Sequence, residues 1–157
     1  GPTVSVGISP AGDIEKNREE LYADAARWGG EEGYVDYLMP QLYYGFENSA
    51  SPFEKTARQW ANLIRCDSVK LYAGLAIYKS GEEDQYAGPE SDQKQGPRYE
   101  WINHSDIISR QVAWGRKTQP YAGFALYSYQ YSFGDSRSKQ LQKEWNALSA
   151  LLENKEK

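Results

Sequence analysis

The feature that most constrains the fold of this chain is a unit that occurs four times in its 157 residues: a short apolar segment, a polar loop and an amphipathic segment with helical spacing. Strands that alternate with helices in this way form parallel βαβ units with right-handed crossovers. The pattern therefore predicts an α/β fold of (β/α) repeats, with parallel strands and flanking helices.

Four such units make up half of a TIM (β/α)₈ barrel, which usually needs about 250 residues. Three architectures follow from the pattern: a portion of a larger barrel, a half-barrel that pairs with another copy, and a small open α/β sheet. The length suffices for one domain with a hydrophobic core, so we expect a single domain over residues 1–157.

The apolar segments predict strands over residues 3–8, 34–46, 69–77 and 121–128. The third is a nearly continuous apolar run, which is typical of a strand covered on both faces. In the second, Pro40 has no N–H to donate, so strand pairing should loosen there.

Helical spacing predicts four helices. The first covers about residues 18–28 and the last about 138–152. The second begins after Ser51 as N-cap, with Pro52 as its first helical residue, and the third begins at residue 105 or 106. Residues 80–103 form a long polar segment, which favours a lid or binding loop, with disorder as the alternative.

The five tryptophans divide into two groups. Each predicted helix carries one of four, expected to seal it onto the sheet: Trp28, Trp60, Trp114 and Trp145. Trp101 lies outside the predicted helices, where we expect it to be exposed and where a stacking role stays open.

Polar residues follow every predicted strand, whereas the strand bodies are apolar except at Asp36. The polar sets are Ser9, Asp13, Glu15 and Asn17; Gln41, Tyr43, Tyr44 and Glu47; Tyr78, Lys79, Glu82, Glu83 and Asp84; and Ser128, Tyr129, Gln130 and Asp135. In parallel α/β folds, ligands meet the carboxyl ends of the strands. Stacking rings beside amides suit a neutral, hydroxyl-rich ligand such as a sugar. The alternative is that the tyrosines only cap the core.

Composition and motifs exclude several classes of function. A net charge of −4 without a Lys/Arg cluster disfavours a nucleic-acid partner, and no apolar run is long enough for a membrane span. With Cys66 and His104 the only residues of their kinds, no internal disulfide, thiolate zinc site or multi-histidine metal site can form. Nucleotide-binding and serine-hydrolase motifs are missing, and we expect no cofactor.

The ionisable residues do not identify a catalytic pair, so the catalytic residues remain unknown. Residues 82–84 read as a solvated acidic loop, and Asp36 as a structural acid bonded to backbone or to a basic side chain. Lys79 is expected either to contact substrate hydroxyls or to pair with a carboxylate. His104 is expected at the surface or at a helix cap.

Several segments resemble the glycoside hydrolase-like family 10 of bacterial proteins. They are Gly7-Ile8-Ser9-Pro10 with Asn17, Leu21-Tyr22-Ala23-Asp24 with Trp28, Tyr34-Val35-Asp36-Tyr37 with Pro40-Gln41-Leu42-Tyr43, Lys70 to Ala76 with Tyr78-Lys79, and Gly123 to Leu126 with Ser128-Tyr129. The resemblance implies strands five to eight of a (β/α)₈ barrel, hence its C-terminal half. It also implies a glycosidase acting on cell-wall or other glycans, and an extracellular or cell-envelope location.

By the same resemblance, the substrate-facing wall consists of Asn17, Gln41, Tyr43, Tyr78, Lys79 and Tyr129. Tyr44 and Ser128 join it from the strand ends. The family's Asp-Asp-Tyr motif belongs to the first half of the barrel and is absent here. We therefore expect little or no catalysis from the isolated chain.

Three functions remain for this chain. It is the substrate-binding part of a glycoside hydrolase, a non-catalytic carbohydrate-binding module, or a structural and interaction domain. The third function follows from the half-barrel architecture, whose unpaired sheet edges favour a homo-oligomer or a complementary half-barrel as partner. The expected ligand in the first two is an oligosaccharide or polysaccharide.

Overall fold

A computed structural model describes residues 4–134 and 138–154 of the chain. The strands are β1 (Gly7–Ile8), β2 (Tyr37–Leu38), β3 (Lys70–Leu75) and β4 (Tyr121–Leu126). The helices are α1 (Ile14–Glu19), α2 (Ala25–Gly30), α3 (Phe53–Leu63), α4 (Glu100–Asn103), α5 (Ile107–Arg116), α6 (Tyr129–Phe133) and α7 (Lys139–Glu153), with 3₁₀ turns at Ile77–Lys79 and Pro97–Tyr99. Thr3 and Asp135, which were assigned to the first strand and to the end of the fourth, lie outside the described residues.

The four strands form one parallel sheet in the order β1-β2-β3-β4. Leu38 lies opposite Leu71, and Leu75 lies opposite Leu126. The predicted α/β fold of parallel βα units with flanking helices is therefore confirmed. Within the described part of the chain the sheet is open, with β1 and β4 at its edges, as expected of a portion of a TIM barrel.

The two faces of the sheet differ in burial. Leu71, Ala73 and Leu75 of β3 are buried in the helix-covered core. On the other face Tyr72 is only half-buried, and its ring meets that of Tyr37 edge to face at 5.7 Å. Gly74, on the same face as Tyr72, is buried, so the prediction that the third strand is covered on both faces holds fully for the helix-covered face and in part for the other.

The first two strands are shorter than predicted, at two residues each. In front of β1 the Val6 N–H donates to the Asp36 carboxylate at 2.7 Å, so a side chain takes the place of a ladder partner. This contact confirms Asp36 as a structural acid bonded to backbone. After β2 regular pairing stops before Pro40, as predicted, and Gln41 continues it only as isolated bridges to Ala11 and Gly74.

The helix predicted over residues 18–28 is wrong. Two short helices occupy the region, because Asp13 caps α1 through the Lys16 N–H and Asp24 caps α2 through the Arg27 N–H. Between them Tyr22 has a φ of 52°, which no α-helix tolerates.

The longer predicted helices are confirmed in position. On α3 the stripe Phe53, Ala57 and Trp60 is buried, although Pro52 is the N-cap and not the first helical residue. Helices α5 and α7 begin directly after Asp106 and Ser138, within one residue of the predicted starts, and the Ser138 side chain caps α7. At the end of α7 Leu152 is exposed, while Leu151 packs against the core.

The prediction for Trp101 is wrong. It lies on α4, inside the segment that was assigned to a loop, and only 1% of it is exposed. The other four tryptophans pack as predicted: Trp60 is fully buried, and Trp28, Trp114 and Trp145 lie partly buried against the core. In the described residues no helix is both long and apolar enough to cross a membrane.

Candidate functional site

The loops that leave the carboxyl ends of β1, β2 and β3 lie side by side. The Gln41 N–H donates to the Pro10 carbonyl at 2.9 Å, and the Leu42 N–H donates to the Gly74 carbonyl at 2.9 Å. The Gln41 side chain also donates to the Ser9 carbonyl at 3.2 Å. Gln41 therefore marks the point where the three strand ends converge.

A cavity of about 400 Å³ opens at this point. Its lining is mostly polar or aromatic and comes from the loops after the first three strands: Ala11, Gly12, Asp13, Lys16, Gln41, Tyr43, Tyr44, Asn48, Ala50, Ser51, Lys79, Asp84 and Tyr86. Three of the predicted strand ends thus contribute to one concave surface, which we call the strand-end cavity.

Lys79 pairs with a carboxylate, one of the two roles predicted for it. Its Nζ lies 2.7 Å from Asp84 Oδ2 and donates to the Tyr43 carbonyl at 2.8 Å. Asp84 is buried, so residues 82–84 are a solvated acidic loop only at Glu82 and Glu83. The positive charge of Lys79 and the negative charge of Asp84 therefore offset each other in the wall of the cavity.

Four phenol rings gather beside the cavity and form what we call the tyrosine cluster. Tyr43 stacks on Tyr127 with ring centres 5.9 Å apart, and Tyr78 meets both rings edge to face at 6.0 Å. Tyr131 lies against Tyr78 at 6.0 Å. Tyr127 keeps 58% of its surface exposed, so the cluster presents a ring to solvent.

Sequence reasoning missed Tyr127 and Tyr131. The fourth strand was predicted to run to residue 128, which placed Tyr127 in a strand body, but β4 ends at Leu126. The signal was present in the alternating tyrosines at 127, 129 and 131, at the point where an apolar run stops.

The surroundings of Tyr43, Tyr44 and Tyr78 raise the pKa of each of these phenols and so favour its neutral form. Burial raises the pKa of Tyr43, and the nearby Tyr78 and Tyr127 raise it further. Burial also raises the pKa of Tyr78, with Asp84 adding to the effect, and the pKa of Tyr44, with Asp13 adding to it. A neutral phenol both donates and accepts hydrogen bonds, as a hydroxyl-bearing ligand requires.

Side chains from behind the site fix the backbone after β2. Gln111 of α5 donates to the Tyr44 carbonyl at 2.8 Å. The Glu100 carboxylate accepts from the Phe46 and Glu47 N–H groups at 2.8 and 2.9 Å. Burial raises the pKa of the Glu100 carboxyl, and this effect is larger than that of either of the two N–H bonds, which lower the pKa.

The other predicted site residues fall in different places. Asn17 lies beneath the surface with 1% exposure, and its amide bonds to Ala11 and to the Asp13 carbonyl, which shapes the first loop. Ser128 is the N-cap of α6. Tyr129 is exposed and its ring packs on Phe133 at 5.1 Å, apart from the tyrosine cluster.

The acids of the cavity are already engaged. Asp13 and Asp84 are the carboxylates among its lining residues, and they bond to the Lys16 N–H and to Lys79 respectively. Elsewhere, His104 is exposed at the surface, one of the two places predicted for it, and its backbone N–H at the end of α4 donates to the Glu100 carbonyl at 2.9 Å. The described residues contain no group of three or more His, Cys, Asp or Glu side chains placed to hold a metal ion.

Comparison with known proteins gives consistent matches. The family described as Glycosyl hydrolase-like 10 matches residues 1–89. Glycosyl hydrolase DigH of Escherichia coli K12 is 38% identical over an alignment 96 residues long, which covers 52% of this chain and 21% of that protein. Glycosyl hydrolase YngK of Bacillus subtilis 168 is 33% identical over an alignment 93 residues long, which covers 50% of this chain and 18% of that protein. The chain thus covers about a fifth of the length of these relatives. No solved structure matches it.

Proposed function

The chain belongs to the glycosyl hydrolase-like 10 family, and from this premise we propose that it forms the substrate-binding wall of a glycoside hydrolase. The observation that carries the proposal is the strand-end cavity with the tyrosine cluster beside it. Rings that stack on a sugar face and amides that bond its hydroxyls meet there. The proposed ligand is an oligosaccharide or polysaccharide.

In this proposal the site residues have distinct roles. Tyr43, Tyr78 and Tyr127 supply ring surface, and Gln41 and Tyr44 supply hydrogen bonds to hydroxyls. Lys79 balances Asp84 and fixes the backbone that carries Tyr43. The three remaining predicted residues act less directly: Asn17 shapes the first loop, Ser128 begins α6, and Tyr129 contacts ligand only beyond the cluster.

The carboxylates that cleave the glycosidic bond are proposed to lie outside these 157 residues. Glycoside cleavage by the common mechanisms needs one acid and one base or nucleophile. Asp13 and Asp84, the acids of the cavity, are held by the Lys16 N–H and by Lys79. That engagement favours binding over catalysis for this chain, and it also suits a non-catalytic carbohydrate-binding module.

Oligosaccharide binding by the purified protein tests the proposal. Isothermal titration with chito-oligosaccharides and cello-oligosaccharides is expected to show binding that Tyr43→Ala and Gln41→Ala each weaken by about tenfold, the loss of roughly 1.4 kcal/mol of contact. Tyr34→Ala, at an exposed ring that does not line the cavity, is the matched control. Unchanged binding in both site variants would contradict this location.

The enzyme and the binding module differ in one assay. Glycan release by a protein that joins this chain to the rest of a family barrel is expected if it is part of a hydrolase. Binding without release would favour the module.

Location in the cell envelope or outside the cell belongs to the same proposal, because it follows from the family resemblance, and cell fractionation tests it.

A further inference from the structure

Tyr86 is a lining residue of the strand-end cavity that neither the sequence prediction nor the tyrosine cluster includes. It lies in the segment between β3 and α4, and 93% of its surface is exposed. A phenol ring gains free energy when it is removed from water. At this position the ring is instead left free beside a polar cavity.

The backbone on both sides of Tyr86 is held in place. Before it, the Asp84 carboxylate pairs with Lys79, and the Asp84 N–H donates to the Arg98 carbonyl at 2.9 Å. After it, Ala87 is buried and its N–H donates to the Asp84 carbonyl at 3.0 Å. The Ala87 carbonyl in turn accepts from the Ser49 N–H at 2.8 Å.

These contacts close a turn over residues 84–87 and tie it to the loop after β2. The ring of Tyr86 is therefore exposed on a fixed backbone. When a ligand covers the ring, the ordering cost is confined to the side chain, since the backbone of the turn is already ordered.

Two separate loops thus border the cavity with aromatic rings. Tyr43 belongs to the loop after β2 and connects the cavity to the tyrosine cluster, whereas Tyr86 belongs to the segment after β3. Resting on the function proposed above, we infer that Tyr86 is a further stacking residue, on a second loop, and that the site binds an oligosaccharide of several units that extends from Tyr43 to Tyr86.

The chain offers a close comparison in Tyr22. It is also exposed, at 90%, but it lies between α1 and α2 and is not a lining residue of the cavity. Exposure alone therefore does not distinguish Tyr86 from other surface tyrosines. Tyr86 is distinguished by its position at the cavity and by the hydrogen-bonded turn that carries it.

The test measures how affinity depends on ligand length. Wild type, Tyr86→Ala, Tyr86→Phe and Tyr22→Ala are titrated with chito-oligosaccharides and cello-oligosaccharides from dimer to hexamer. Tyr86→Ala is expected to weaken hexamer binding by about three- to tenfold, as expected for one lost aromatic contact, and to leave dimer binding unchanged. Tyr86→Phe keeps the ring and is expected to match wild type, as is Tyr22→Ala.

Wild-type hexamer affinity in Tyr86→Ala would overturn the inference, and so would an equal loss for dimer and hexamer. If Tyr43→Ala still weakens binding at every length in that case, the proposed function stands without the second ring. Absence of binding to every oligosaccharide by wild type would contradict the proposed function, and the inference with it. Because the side chain is almost entirely exposed, all Tyr86 variants are expected to fold.

Discussion

At the scale of single residues, one half-buried and two buried side chains hold the loop after β2 in place. Lys79 binds the Tyr43 carbonyl, Gln111 binds the Tyr44 carbonyl, and Glu100 binds the two N–H groups that follow. Each bond comes from a different part of the chain, so the loop after β2 is fixed only once the fold is complete. Because the loop after β2 is already ordered in the free protein, the entropic cost of binding a ligand there is lower.

Glu100→Ala is expected to lower the free energy of unfolding by about 2–4 kcal/mol, because the Phe46 and Glu47 N–H groups lose their acceptor inside the protein. Urea denaturation measures this change. Glu82→Ala, at an exposed acid, is the control. Equal stability of the two variants would show that Glu100 does not hold the loop.

Glu144 makes the stability of the protein depend on pH. Burial raises the pKa of this carboxyl from 4.5 to about 7, against the effect of its bond to the Ile108 N–H at the start of α5. The folded state holds the proton more tightly than the unfolded chain. The Glu144 contribution to the free energy of unfolding therefore decreases as pH rises from about 4.5 to about 7, and is constant above that.

Glu144→Gln removes this titration and keeps an oxygen that accepts from Ile108. The unfolding free energy of the variant minus that of wild type is therefore expected to increase as pH rises across the same window, by up to about 3 kcal/mol, because only wild type loses stability through Glu144. Thermal or urea denaturation at pH 4.5, 6 and 8 measures it. Glu153→Gln, exposed on the same helix, is expected to leave the pH dependence as it is in wild type, and identical behaviour of the two variants would refute this assignment.

At the scale of elements, the sequence predicts what local periodicity determines. The helices α3, α5 and α7 have 10 to 15 residues and one apolar stripe each, and they lie where the spacing predicts. The shorter helices α1, α2, α4 and α6 have four to six residues, too few for a periodic signal. Their positions depend on caps and on tertiary contacts that spacing does not encode.

The close approach of the first two loops requires a glycine. A Cβ atom on Gly12 would lie 2.3 Å from the Gln41 carbonyl oxygen and 2.6 Å from the Tyr44 ring. Gly12→Ala is therefore expected to destabilise the protein by about 1–3 kcal/mol, because backbone has to move.

Gly115→Ala on α5 is the matched control, since a Cβ atom there meets nothing within 4 Å. It is expected to stabilise the protein by about 0.5–1 kcal/mol through higher helix propensity. Urea denaturation of both variants measures the contrast. Similar midpoints would mean that the first two loops are not packed as described.

At the scale of the whole molecule, the sequence predicts that the strand ends lie together but not which side chains meet there. The contrast between apolar strand bodies and polar strand ends predicts the edge of the sheet where the strand-end cavity lies, because a parallel arrangement brings those ends together. Which way each side chain faces is set by contacts distant in sequence. Asn17 is turned inward to Ala11, which no local pattern indicates. The alternating tyrosines mark residues 127–131 as a strand end, but they do not indicate that Tyr127 stacks on Tyr43.

The open sheet is expected to promote self-association. The edge strands β1 and β4 carry backbone groups available for pairing, and a complementary half-barrel would use the same edges. Light scattering of the isolated protein is expected to show a dimer or a larger oligomer. Ala122→Lys, which puts a charge on the exposed part of β4, is expected to shift it toward monomer, whereas Asn146→Lys on α7 is expected to leave it unchanged. A monomeric wild type would contradict this expectation.

In the proposed function, the ends of the parallel strands gather into one oligosaccharide-binding surface. Titration of isotope-labelled protein with the oligosaccharide that binds most tightly, followed by amide NMR shifts, tests it most directly. The expected result is a single group of shifted amides around residues 41–47, 78–87 and 127–131. Shifts confined to the opposite end of the strands, or scattered over the helices, would contradict the account.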